Sequence, residues 1–243
     1  ASAPCPAHPT STFISMTQQR ANKVGWEVKA VVSAHTDTLT TTTTPTCERV
    51  SAVHRLNELF ACCETHEAAV TLAGAVGSLA VTVALLEMLV EGASPGAEIA
   101  VQLMWNLSLG PTGCQTLERA GVLPVLVAAL RPDEPLLRAV GLRLLAALAN
   151  TPSLAPSIVR AGAVKLLGVL AASTDPECWH WLLEICLGLL GAQQAIKPAQ
   201  RRRLLEVLEA ASDCTRVGEL VLRPCASSSR EPLSARATGL QAS

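Results

Sequence analysis

The run Glu118-Arg-Ala-Gly-Val-Leu-Pro-Val-Leu-Val-Ala-Ala-Leu130 is followed, after an interval, by Val159-Arg-Ala-Gly-Ala-Val-Lys-Leu-Leu-Gly-Val-Leu-Ala171. In both, an Arg-Ala-Gly triplet separates two short apolar segments, and glycine suits a corner where the chain reverses with little room for a Cβ. A shift of 41 residues lays one run on the other without a gap and extends well beyond them. Leu103 meets Leu144 and Ile185, Leu107 meets Leu148 and Leu189, Pro111 meets Pro152, and Leu126 meets Leu167 and Leu208. Arg119 meets Arg160 and Arg201, and Ala120-Gly121 meets Ala161-Gly162. A leucine-rich chain produces leucine matches by composition, so the Pro, Arg and Ala-Gly matches carry the inference of an internal repeat.

Working outward, apolar residues recur at helical spacing through 49–63, 97–109, 115–130, 135–150, 155–172, 179–191 and 199–211. Breaks fall at Ser94-Pro95-Gly96, Pro111, Pro132 to Pro135, Pro152, Asp175-Pro176 and Pro198. Each unit therefore reads as a short helix ending at Gly121 or Gly162, a sharp turn, a second helix, a Pro/Asp loop, and a third helix (Glu98 to Leu109, Leu136 to Asn150). One such unit cannot bury its apolar stripe alone; stacked neighbours make the core continuous. Ala73-Gly-Ala-Val76, identical to Ala161-Gly-Ala-Val164, suggests an earlier copy with its corner at Gly74 and a short insertion at Glu91 to Gly96.

The chain of 243 residues is 49% hydrophobic, 16% charged and 2% aromatic, with no Tyr. That composition excludes a disordered chain and speaks against a large β-sandwich or barrel, whose pleated surfaces are filled by β-branched and aromatic side chains. Residues 1–47 hold Pro4, Pro6, Pro9, a Thr-rich run from Thr38 to Thr44 and Pro45, which reads as an extended arm. Within it, Val24-Gly-Trp26-Glu-Val28-Lys-Ala30 alternates like a short strand. Residues 48–213 form the repeat domain, and 214–243, with Pro224, Ser227 to Ser229 and Pro232, read as a tail.

The corner Ala-Gly followed by apolar residues and Pro124, together with Ala100…Asn106-Leu107, resembles the armadillo repeat. The resemblance spans roughly residues 48–213, strongest at 98–130 and weaker at both ends. It implies an all-α, right-handed solenoid of three to four three-helix repeats, binding extended peptides or other proteins on a concave face lined by third helices. Family members that read nuclear signals use a Trp and an Asn four residues apart in successive repeats. Here the Asn recurs only as Asn106, with Ala147 and Gly188 at the matching places, and the Trp positions hold Gln102, Arg143 and Glu184. That ladder is absent, so nuclear-signal reading is not implied.

The same layout places Gln102, Asn106, Arg143, Trp181 and Glu184 on the partner-binding groove, with Trp181 as its anchor; the plain alternative is that Trp179 or Trp181 fills a gap at the start of a helix. Arg119, Arg160 and Arg201 recur one repeat apart and would draw a basic edge able to grip acidic segments. Alternatively, each arginine caps the carbonyls closing its own helix.

Chemistry is poorly represented. His66-Glu67 opens like a zinc-protease helix, but Val70 stands where the second His is required. Cys62, Cys63 and His66, with His54 upstream, fall short of a four-ligand zinc set, and no second C-x-x-C exists. Gly74-Ala-Val-Gly77-Ser78 lacks the Lys of a phosphate cradle, and no G-x-S-x-G or G-x-G-x-x-G occurs. The expectation is a non-enzyme without metal, cofactor or small-molecule substrate. A net charge of −1, with Arg201-Arg202-Arg203 spread around a helix, argues against nucleic acid. Nine cysteines, mostly inside apolar helical patterns, suit a reducing intracellular compartment, cytoplasmic or cytoskeletal or else mitochondrial.

The first acidic residue is Glu27, and residues 1–26 lack the apolar core of a secretory signal. The uncharged run Ala68 to Leu86 is long enough to span a bilayer, although its Ala, Gly and Thr content and flanking Glu67 and Glu87 favour two buried repeat helices. The functional expectation is a non-catalytic scaffold or accessory subunit of a larger assembly, its partners other protein subunits. The alternative is a processed accessory subunit of a mitochondrial complex (respiratory, ATP synthase or ribosomal), membrane-associated through 68–86.

Overall fold

The computed structural model describes residues 28–91, 95–110, 112–130, 135–172, 176–192 and 196–213. Among them every regular element is helical. In chain order these are α1 (28–40), α2 (Thr46–Ala61), α3 (His66–Val76), α4 (Leu79–Val90), α5 (Pro95–Ser108), α6 (Gly113–Arg119), α7 (Val122–Ala129) and α8 (Pro135–Ala149). A 3-10 turn (Pro152–Leu154) leads into α9 (Ala155–Arg160), α10 (Ala163–Ala172), α11 (Pro176–Gly191) and α12 (Pro198–Asp213).

Two units repeat in detail. Gly121 and Gly162 both take the left-handed conformation, with φ of 78° and 91°. The backbone before them is hydrogen-bonded in the same pattern: Ala120 and Ala161 donate to the carbonyls of Thr116 and Ser157, and Gly121 and Gly162 to those of Glu118 and Val159. This is how a short first helix closes on its own carbonyls before the chain turns. The residues matched by the 41-residue shift share their burial: Leu103, Leu144 and Ile185 are inaccessible, as are Val122, Ala163 and Leu204.

Third helices build one continuous layer. α5 lies along α8, and α8 along α11, as the two most extensive contacts of the fold, with α2 flanking α5 on the other side. Their closeness depends on small residues: a Cβ at Gly188 would stand 2.8 Å from the Ala149 carbonyl oxygen. The second helices form an outer layer in which α4 meets α7 and α10 meets α12.

Three expectations need correction: the extended arm, its strand and the corner at Gly74. Residues 28–40 of the expected extended arm are helical, including Val28 to Ala30 of the expected strand; the rest of that strand and of the arm's start lies outside the described residues. The hydroxyls of Thr36, Thr38, Thr40 and Thr41 each bond back to a carbonyl three or four residues earlier, and the helix holds against that competition because one face is buried. Val32 and Leu39, two turns apart on one face, anchor α1 to the core.

The first-copy corner is at Gly77-Ser78, not Gly74. Gly74 stays inside α3 with open space around it, and α4 starts instead at Ser78, whose hydroxyl accepts from the Val81 N–H at 3.2 Å. The Ala-Gly-Ala-Val identity was therefore compositional. The same corner breaks the uncharged run 68–86 into two helices bent by 89°, so the single spanning helix is not formed. No single helix among the described residues is long and apolar enough to cross a membrane.

The expected helical stretch 199–211 is α12, one unbroken helix, although the 41-residue shift lays positions 202 and 203 on the Ala-Gly corners. Arg202-Arg203 replace Ala-Gly there, and without glycine nothing favours the left-handed turn. α12 buries Leu204 and Val207 against the last repeat while Arg201, Arg202, Arg203, Glu206 and Glu209 face outward, the polar outer face that a terminal repeat requires. The expected tail, 214–243, lies outside the described residues.

Candidate functional site

The third-helix layer presents one half-exposed row per helix, spaced by the helical period. On α5 the row is Glu98, Gln102, Trp105 and Leu109; on α8 it includes Arg143, Ala147 and Asn150; on α11 Trp181, Glu184 and Leu187 step by three and spread over about 120° of the helix.

Arg143 joins all three rows. Its guanidinium carbon lies 3.5 Å from the ring centroid of Trp105 and 5.7 Å from that of Trp181, so one cation bridges two indoles across three successive repeats. Such a stack is favourable because the ring faces are electron-rich and the guanidinium is flat and weakly hydrated. His180 sits edge-on to Trp181 with centroids 4.8 Å apart. Glu184 is held from both sides: Asn150 Nδ2 donates to Oε1 at 2.8 Å, and His180 Nε2 lies 3.8 Å from Oε2. Below them Leu187 is 62% exposed.

Of the five groove residues read from the sequence, Arg143, Trp181 and Glu184 come together on this face, and Gln102 lies half-buried on the neighbouring row. Asn106 does not. It is buried between α2 and α5, where its Nδ2 donates to Asn57 Oδ1 at 2.9 Å while Asn57 Nδ2 donates to the Ile99 carbonyl at 2.9 Å. A buried amide must find such partners, and here the neighbouring helix supplies them. Trp105, which completes the stack, went unread because it stands three positions past Gln102, off the repeat-matched place. The signal available was its position in the row with Glu98, Gln102 and Leu109.

The basic edge is shorter than expected. Arg119 and Arg160 are exposed in the last turns of α6 and α9, but Arg201 lies in the first turn of α12, because the corner that would place it is missing. Arg160 caps its own helix, donating from Nε to the Pro156 carbonyl at 3.4 Å and from Nη2 to Ser157 Oγ at 3.0 Å. Ser157 in turn donates to the Glu118 carboxylate of the preceding repeat. An acidic group thus sits in the middle of the edge and ties α6 to α9.

Around Cys62 and Cys63 the side chains are already engaged locally: Cys63 Sγ is 3.4 Å from the Leu59 carbonyl and His54 Nε2 is 3.6 Å from Glu58. Among the described residues no group of three His, Cys, Asp or Glu side chains is placed to hold a metal ion. Burial pushes the Cys186 thiol up to about 12, so it stays protonated as a core residue.

No protein-family model matches the chain, and no curated protein matches it by sequence. Solved structures are similar in fold. An engineered protein from a structural-genomics effort superposes with a TM-score of 0.57 at 20% identity, covering 74% of this chain and 68% of that one. A designed armadillo repeat protein in complex with the peptide (KR)4 gives 0.57 at 19% identity, covering 72% and 69%. A computationally designed armadillo repeat protein for modular peptide recognition gives the same values.

Proposed function

Proceeding from an armadillo-like solenoid fold, we propose that this protein is a non-catalytic scaffold that takes a protein partner on the third-helix face, within a larger assembly. The observation that carries the reading is the Trp105–Arg143–Trp181 stack with bare Leu187 beside it, a surface that spans three repeats and combines aromatic and aliphatic area with fixed polar groups. The designed neighbours give independent support, since one is bound to the peptide (KR)4 and another is intended for peptide recognition. Solenoids suit this role because stacking makes the surface rigid before any partner arrives. We place the protein in a reducing intracellular compartment; the free thiols of Cys47, Cys62, Cys114 and Cys186 support that setting.

The test is affinity capture from cells with the full chain, compared with Trp181→Ala/Arg143→Glu and with Leu187→Glu. Partners held by the third-helix face drop out in both variants while circular dichroism stays at the parent helicity. Identical capture by all three proteins overturns the reading.

A further inference from the structure

The chemistry of the third-helix face also bears on what shape of partner it takes. An extended peptide brings a row of backbone N–H and C=O groups that lose water on docking and need replacements from the surface. Side-chain amides spaced one repeat apart are the natural supply. Here that supply is spent or missing. At the three repeat-equivalent places, Asn106 is buried and bonded to Asn57, and the other two are Ala147 and Gly188, which offer no polar side chain. Asn150 has its Nδ2 engaged by Glu184, and Arg143 is clasped between two indoles. Gln102 alone remains as an uncommitted amide on the described floor.

The same positions suit a different occupant. Ala147 presents only a methyl group on the α8 row, and Trp105, Trp181 and Leu187 add apolar area on α5 and α11. An α-helix satisfies its own backbone and needs from its groove only apolar area for one face. Carboxylates stand on the two outer rows, with the Arg143 guanidinium stacked on Trp105 between them. Glu98 stands half-exposed on the α5 row with no cation beside it among the described residues, and Glu184 on the α11 row accepts from Asn150 and has His180 Nε2 at 3.8 Å.

We propose that the third-helix face binds an amphipathic helix of a partner protein, its apolar face on Trp105, Trp181 and Leu187 and its lysine- or arginine-bearing flanks toward Glu98 and Glu184. The inference rests on the third-helix face being the binding surface, and it adds the partner's conformation and charge.

Two displayed peptide libraries panned against the full chain separate the possibilities: lactam-stapled helices of about five turns randomised on one face, and linear decapeptides with proline at every third position. The helical library yields binders enriched in Lys and Arg at the flanks. Their affinity falls at least tenfold with Leu187→Glu and three- to tenfold with Glu98→Lys or Glu184→Lys, and salt weakens them. Linear binders that compete at Leu187, with no helical ones, would overturn the helix while keeping the face. Helical binders indifferent to Leu187→Glu, or no binders from either library, would overturn both.

Discussion

The guanidinium carbon of Arg143 on α8 lies over the ring of Trp105 on α5, 3.5 Å from its centroid, and 5.7 Å from the centroid of Trp181 on α11. A single side chain thereby links three third helices on the surface proposed to bind. Its worth follows from burial: half out of water, a cation over an indole contributes about 1 kcal/mol, more when desolvated.

Arg143→Lys keeps the charge but replaces a plane by a compact, strongly hydrated ammonium that cannot face two rings at once. The variant loses about 1 kcal/mol in urea unfolding, and the tryptophan emission of the folded protein shifts. Unchanged stability together with unchanged emission would mean the stack does no work.

Gly121 and Gly162 hold φ of 78° and 91° with open space where a Cβ would go, so alanine there is strained by backbone alone. Gly121→Ala and Gly162→Ala each cost about 1–2 kcal/mol, less for Asn, and the two penalties add because the sites are a repeat apart. Gly74→Ala goes the other way, stabilising by about 0.5–1 kcal/mol, since Gly74 is an ordinary exposed helical position. Calorimetry of the three variants checks the corner assignments directly.

Gly188 and Gly168 make a second contrast. A Cβ at Gly188 would press on the Ala149 carbonyl at 2.8 Å, whereas Gly168, mid-helix on α10, has nothing within 4 Å. Gly188→Ala forces α11 off α8 and costs about 1–3 kcal/mol; Gly168→Ala gains about 0.5–1 kcal/mol. Chemical denaturation of both variants reads the signs.

Alkaline pH bears on Cys186. Its thiol is raised by burial from 9.0 to about 12, so between these values the unfolded chain releases a proton that the folded one keeps. The contribution of the protonated thiol is complete below pH 9 and is lost as pH rises toward 12. The stability difference between parent and Cys186→Ala therefore narrows over that window, with other titrations common to both proteins. A constant difference from pH 8 to 11 would contradict it.

Much of the fold was legible because it is written twice. Apolar spacing and the paired Arg-Ala-Gly corners at Gly121 and Gly162 sufficed to place the units, since periodicity and left-handed glycines are local properties. What escaped depended on tertiary context. Thr36 to Thr41 are poor helix formers on paper, and the burial of Val32 and Leu39 overrides that preference. Gly74 matched a motif yet lacked a reason to turn, because Ser78 offered the better cap. In the site, equivalence by repeat found Arg143 and Trp181 but not Trp105, for the stack runs diagonally across the helices. Asn106 looked exposed until Asn57, forty-nine residues away, was found opposite it.

The most direct measurement is excision of one whole repeat. Removing residues 121–161 joins Ala120 to Gly162 and leaves an intact Ala-Gly corner, with each remaining unit still facing a neighbour of the same shape. The shortened chain should remain helical and unfold in one cooperative transition at a lower temperature, while removal of residues 121–141, half a repeat, should abolish that transition. Loss of cooperative folding in both, or its retention in both, would show that the three-helix unit is not what the structure is built from.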